Sequence, residues 1–132
     1  MARGRKAVGR MEKRHARDVR AIAAGSQYIT SFQFDGGEVE AQVKRIMLSF
    51  ATESGKGATF QLSLFQKQPT VVGDFDDETV VISGAIGNQF AHNETITMRV
   101  PKDWYVGLLI ENLGSIPADI VYSLQMNYKV LN

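Results

Sequence analysis

Basic side chains crowd the first twenty positions: Arg3, Arg5, Lys6, Arg10, Lys13, Arg14, Arg17 and Arg20. Six of the eight are arginine, whose planar fork of donors engages two phosphate oxygens at once. Each phosphate they neutralise releases a condensed counterion, so the expected chemistry is sequence-independent, salt-sensitive binding of nucleic acid. A second cluster, Asp74, Asp76, Asp77 and Glu78, offers hard oxygen ligands of the kind that hold Ca2+. It is not an EF-hand, because Thr79 and Ala85 stand where that loop needs Gly and Glu. A solvated acidic loop is the competing reading, and contact with the basic segment or with a neighbouring copy is a third. The pair Trp104-Tyr105 suits base stacking if exposed, and a core or a subunit interface if covered.

Catalytic arrangements are missing. The two histidines, His15 and His92, stand in the basic segment and in an expected loop, Phe90-Ala91-His92-Asn93. No GxSxG, HExxH, CxxC or Walker A spacing occurs, and the glycines are scattered as turn residues. Cysteine is absent, which excludes disulfides, thiolate metal sites and cysteine nucleophiles. A non-enzymatic protein without a resident cofactor is therefore expected, Ca2+ at the acidic loop being the one exception considered.

The 132 residues carry a formal charge of only +1, with 44% hydrophobic and 22% charged positions. That average conceals a division. Up to Arg20, eight basic face two acidic side chains, a net of +6; beyond it, seven face twelve, a net of −5. Two parts follow: a basic nucleic-acid-binding arm over 1–25 and a β domain over 26–132. The arm is expected to be disordered at Gly4 and Gly9 and partly helical from Arg10 to Ala24, which would put Arg10, Arg14 and Arg17 on one side. No apolar run is long enough for a spanning helix, and no apolar stretch follows the basic start as in a secretory signal.

Beyond Gly25-Ser26, β-branched and aromatic residues rise and turn residues recur. Tyr28, Thr30, Phe32 and Phe34 alternate up to the turn Asp35-Gly36-Gly37. From Val39 to Ala51 the apolar phase slips, predicting a bulge near Lys44-Arg45. Phe60–Leu64, Thr79–Ser83 and Thr95–Val100 read as strands, separated by a polar loop over 66–78 and by turns. Asp103 to Glu111 is nearly continuously apolar, as in a strand covered on both faces or at an interface. The clearest alternation closes the chain: Ile120, Tyr122, Leu124, Met126, Tyr128 and Val130 on one face, Ser123, Gln125, Asn127 and Lys129 on the other. Seven or eight short strands without a helix between them predict an all-β antiparallel sandwich or barrel.

A basic arm leading into a small β domain that closes on such a strand resembles the single jelly-roll capsid proteins of small icosahedral viruses. The residues carrying the resemblance are Arg3 to Arg20, Val100 to Ile110 and Ile120 to Leu131. It implies a β-sandwich with a single jelly-roll wrap, many identical subunits in a closed shell, and the arm laid on packaged nucleic acid. Single-stranded DNA is favoured over RNA by likeness to compact capsids of that genome type. The implied location is the virion, and the host-cell interior during assembly, without a membrane partner. Trp104 and Tyr105 would then lie at a subunit interface. The rival readings are a single-stranded nucleic-acid-binding barrel that stacks bases on Trp104 and Tyr105, and a vertex or decoration subunit or carbohydrate-binding module.

Overall fold

A computed structural model describes residues 8–52, 57–76, 79–87 and 89–131. Eight strands follow in order: β1 (Met11–Ile22), β2 (Gln27–Phe32), β3 (Ala41–Ala51), β4 (Ala58–Phe65), β5 (Thr79–Ala85), β6 (Gln89–Val100), β7 (Tyr105–Asn112) and β8 (Ala118–Val130). They form two four-stranded antiparallel sheets, ordered β1-β8-β3-β6 and β2-β7-β4-β5. The partners nest: first with last, second with seventh, third with sixth, fourth with fifth, alternating between the sheets. That nesting is what folding one long hairpin around a sandwich produces, and it makes this chain a jelly roll.

The eighth strand is the one that the composition concealed, and it lies in the basic segment. Residues 11–22 are extended and paired with β8 along their whole length, from Met11 opposite Lys129 to Ile22 opposite Ala118. The helix expected over 10–24 does not form, and the sandwich begins at Met11 rather than at residue 26. The reason is tertiary. Helix propensity is a weak prior, whereas β8 presents a full edge of backbone groups that β1 satisfies.

β8 supplies the centre of the core. Ile120, Tyr122, Leu124, Met126, Tyr128 and Val130 point between the sheets and are buried. They meet Val43, Ile46, Leu48 and Phe50 of β3 and Phe60, Leu62, Val106, Leu108 and Ile110 of the opposite sheet. The bulge expected near Lys44-Arg45 is present as a register shift between Val43 and Arg45, and it keeps Val43 and Ile46 both buried. Tyr128 donates to Asp35 Oδ2 at 3.0 Å. Burial, and then this bond, raise the pKa of its hydroxyl above the ordinary tyrosine value. Phe34, beyond the end of β2, still enters the core and meets Phe32 edge to face at 5.5 Å.

β7 is covered on both faces, as its unbroken apolar run predicts. Val106, Leu108 and Ile110 face the main core, while Leu109 joins Phe65 and Phe75 in a second cluster. Between them Gly107 has no room for a side chain: a Cβ there would sit 2.5 Å from Phe65 Cε1 and 2.9 Å from Pro69 Cγ. Replacing Gly107 with Ala is expected to destabilise the protein by about 1–3 kcal/mol in chemical denaturation, the usual cost of overpacking. An unchanged midpoint would show that the β4–β5 loop does not press on β7.

Candidate nucleic-acid interface

A strand sorts side chains with a period of two, and this decides the role of each cation in β1. Arg14, Ala16 and Ile22 lie on the inward side with Glu12 and Asp18; Lys13, His15 and Arg17 lie on the outward side. The helical spacing would have grouped Arg10, Arg14 and Arg17. The strand instead separates Arg17 from Arg14 and pairs it, outward, with Lys13.

The inward cations close the open edge of the sandwich. The Arg14 guanidinium lies over the Phe32 ring at 4.5 Å, and that of Arg20 over the Tyr28 ring at 4.7 Å. Both rings belong to β2 in the facing sheet, so the two arginines bridge the sheets alongside Ala16 and Ile22, the apolar side chains that β1 gives to the core. Their attraction comes from the negative face of the ring. Arg20 also pairs with Asp18 at 2.9 Å, and Arg10 with Glu12 at 3.0 Å. Arg3, Arg5 and Lys6 lie outside the described residues.

The outward cations stand on the outer face of the β1-β8-β3-β6 sheet. Lys13 is opposite Asn127, His15 opposite Gln125 and Arg17 opposite Ser123. His15 Nε2 lies 3.0 Å from Ser123 Oγ. This Ser–His contact is on an open strand surface. Three further cations share the face, Arg45 of β3, Lys129 of β8 and Arg99 of β6, the last held by Glu40. Reading for a charged run overlooks them, because they are far from the first twenty residues. The alternation of β8 already marked Lys129 as outward, and the slip near Lys44-Arg45 was the available sign for Arg45.

The other expected sites come apart. Asp74 Oδ2 accepts the N–H groups of Thr70 and Val71 at 2.9 and 3.1 Å, tying the short 3-10 turn Val72–Phe75 to the loop before it. These backbone donors hold its carboxyl below the usual aspartate range. Asp77 and Glu78 lie outside the described residues, and among those described no three metal-ligating side chains gather. Trp104 and Tyr105 are both half-buried but pack on different clusters, Trp104 against the main core and Tyr105 against the Phe65–Phe75–Leu109 group. They do not make one stacking platform. His92 is in β6 rather than a loop; its Nε2 lies 2.6 Å from Glu94 Oε2.

No family model matches the chain, and no curated protein matches it. Solved structures with a similar course of strands include a mitogen derived from Yersinia pseudotuberculosis, at 14% identity and a TM-score of 0.48, over 90% of this chain and 87% of that one. A chain of infectious bursal disease virus, Gx strain, aligns at 13% identity and a TM-score of 0.32, over 88% of this chain and 32% of the virus chain. This protein thus spans about a third of that virus chain.

Three expectations test the placement of these residues. Removing residues 1–20 strips β1 from β8, exposes a sheet edge and should cause aggregation; a soluble product with unchanged melting would show that β1 is not part of the sandwich. Arg14→Gln should cost about 0.5–1 kcal/mol through loss of the ring contact, while Lys13→Gln stays within about 0.5 kcal/mol; equal effects would contradict the inward–outward sorting. The depressed Asp74 carboxyl contributes stability above its unfolded pKa and loses it as pH falls through the lower folded value. The β4–β5 loop should therefore become protease-sensitive at strongly acidic pH in the native chain and already at pH 7 in Asp74→Asn; a variant loop as resistant as the native one would remove that role.

Proposed function

We propose that the chain is a non-enzymatic structural protein of a virion, a jelly-roll capsid subunit that self-assembles with identical copies and holds nucleic acid through its basic N-terminal residues. The observation that carries this reading is the union of a single eight-stranded jelly roll with a cationic leading segment. Capsid domains are among the main users of that wrap, and a polyanionic genome is the partner that such a segment suits. Arg3, Arg5 and Lys6 would hold phosphates together with Lys13 and Arg17, which stand on the outer face of the sheet. Arg14 and Arg20 have a different task in this scheme, since their guanidiniums are seated on Phe32 and Tyr28.

The barrel that stacks bases on Trp104 and Tyr105 is disfavoured by the separation of those two rings into different clusters. Single-stranded DNA as the packaged form, and an icosahedral shell, are the finer parts of the proposal.

Expression followed by negative-stain electron microscopy and the ratio of absorbance at 260 and 280 nm tests it. Closed particles of uniform size that carry nucleic acid are expected, and their nucleic-acid content should fall when residues 1–7 are removed. A protein that stays monomeric across salt concentrations and with added nucleic acid would refute the assembly reading.

A further inference from the structure

We infer that the outer face of the β1-β8-β3-β6 sheet is itself a nucleic-acid surface, which grips backbone phosphates through Lys13, Arg17, Arg45 and Lys129 without reading bases. The inference rests on the proposed partner and names the site that receives it.

The pairing places the four cations together. Lys13, Asn127 and Arg45 are directly opposite one another across β1, β8 and β3, so one row of the sheet begins and ends its first three strands with a cation. Lys129 lies in the adjacent row, opposite Met11 and Gln42. Arg17 lies two rows to the other side, opposite Ser123. With strands about 4.8 Å apart and about 3.3 Å of rise per residue, the four fall within a patch of about 10 Å by 20 Å. Lys13, Arg45 and Lys129 are within about one Debye length of each other at 0.1 M salt, so their fields add, and Arg17 extends the patch about 13 Å along β1.

An ordinary solvated sheet face mixes both charge signs. This one does not. Among the described residues, no carboxylate lies within ion-pair distance of these four cations. Arg45 spends one donor on Asn93 Oδ1, at 2.7 Å, and that bond leaves its charge in place. The acidic side chains on the face are at its margins: Asp119 at one end of β8, and Glu40, which pairs with Arg99. Glu12 and Asp18 of β1 turn inward, and a further group of carboxylates gathers at one end. Because successive strands run in opposite directions, the β2–β3, β4–β5 and β6–β7 loops fall at one end of the sandwich, carrying Asp35, Glu38, Asp74, Asp76 and Asp103. A chain with a net charge of +1 thus turns a basic face and an acidic end to its surroundings.

The polar filling of the patch indicates how nucleic acid would be held. Ser123, Gln125, Asn127, Ser49 and Asn93 supply short hydrogen-bonding groups between the cations. No outward position on these four strands carries Phe, Tyr or Trp. Base stacking needs such rings; phosphate contact does not. Binding should therefore be insensitive to sequence and steep in salt.

The experiment is fluorescence anisotropy of a thirty-nucleotide oligothymidylate with the full chain across a salt series. Lys13→Gln, Arg17→Gln, Arg45→Gln and Lys129→Gln are made singly, with Lys67→Gln and Lys102→Gln in the acidic-end loops as controls. Each face variant should reduce the steepness of log K against log salt by about 0.7, the contribution of one phosphate contact to a single strand, while both controls match the native protein. Native melting temperatures qualify each variant, and single substitutions keep the result from resting on any one. If the face variants bind as the native chain does while removal of residues 1–7 abolishes binding, the face is refuted and the proposed function stands. If the native chain does not bind at all, both fail.

Discussion

Everything distinctive about this molecule depends on the register of β1 against β8. With Arg17 opposite Ser123 and Lys13 opposite Asn127, the even-numbered side chains of β1 turn inward and the odd-numbered ones outward. A slip of one residue would reverse both sets. Lys13 and Arg17 would then be pressed toward Phe32 and Tyr28, and Arg14 and Arg20 would stand on the outer face. The register is held from the other side by β8, whose inward residues from Ile120 to Val130 are fixed in the core. Hydrophobic burial thus positions the charges indirectly: the core fixes β8, β8 fixes β1, and β1 distributes its cations.

The edge is also where this sandwich departs from a simple hydrophobic account. Most strands contribute apolar side chains to the interior, but β1 contributes chiefly Ala16 and Ile22. Its remaining hold is the ladder to β8 and the two guanidinium–ring contacts across to β2. Arginine suits this position because its stem covers apolar surface while its charged plane remains near water. A segment rich in arginine can therefore form an edge strand of the sandwich, with alternate cations facing in and out.

Much of the fold was legible in the residues. The closing strand, the doubly covered β7 and the bulge near Lys44-Arg45 follow from apolar phase alone, since burial on one face or two leaves different patterns. β1 was not legible for the complementary reason. Its inward residues Glu12, Arg14 and Asp18 are polar, so the alternation that betrays a strand is missing, and only the partner edge of β8 reveals it. His92 reads as a loop residue in the sequence because Asn93 and Glu94 interrupt the apolar rhythm of β6, an edge strand with little to bury. The candidate site divides in the same way. Charge counting groups Lys13 and Arg17 with Arg14 and Arg20, which the strand turns to the other side, and it cannot bring Arg45 and Lys129 from distant strands to the same surface.

What joins these elements is an asymmetric distribution of charge on a jelly-roll frame, basic on one sheet face and acidic at one end. Lysine labelling followed by mass spectrometry, with and without oligothymidylate, tests that claim most directly. The account predicts that nucleic acid protects Lys13 and Lys129 while Lys67 and Lys102 remain as reactive as before. Protection of Lys67 and Lys102, with Lys13 and Lys129 unaffected, would contradict it.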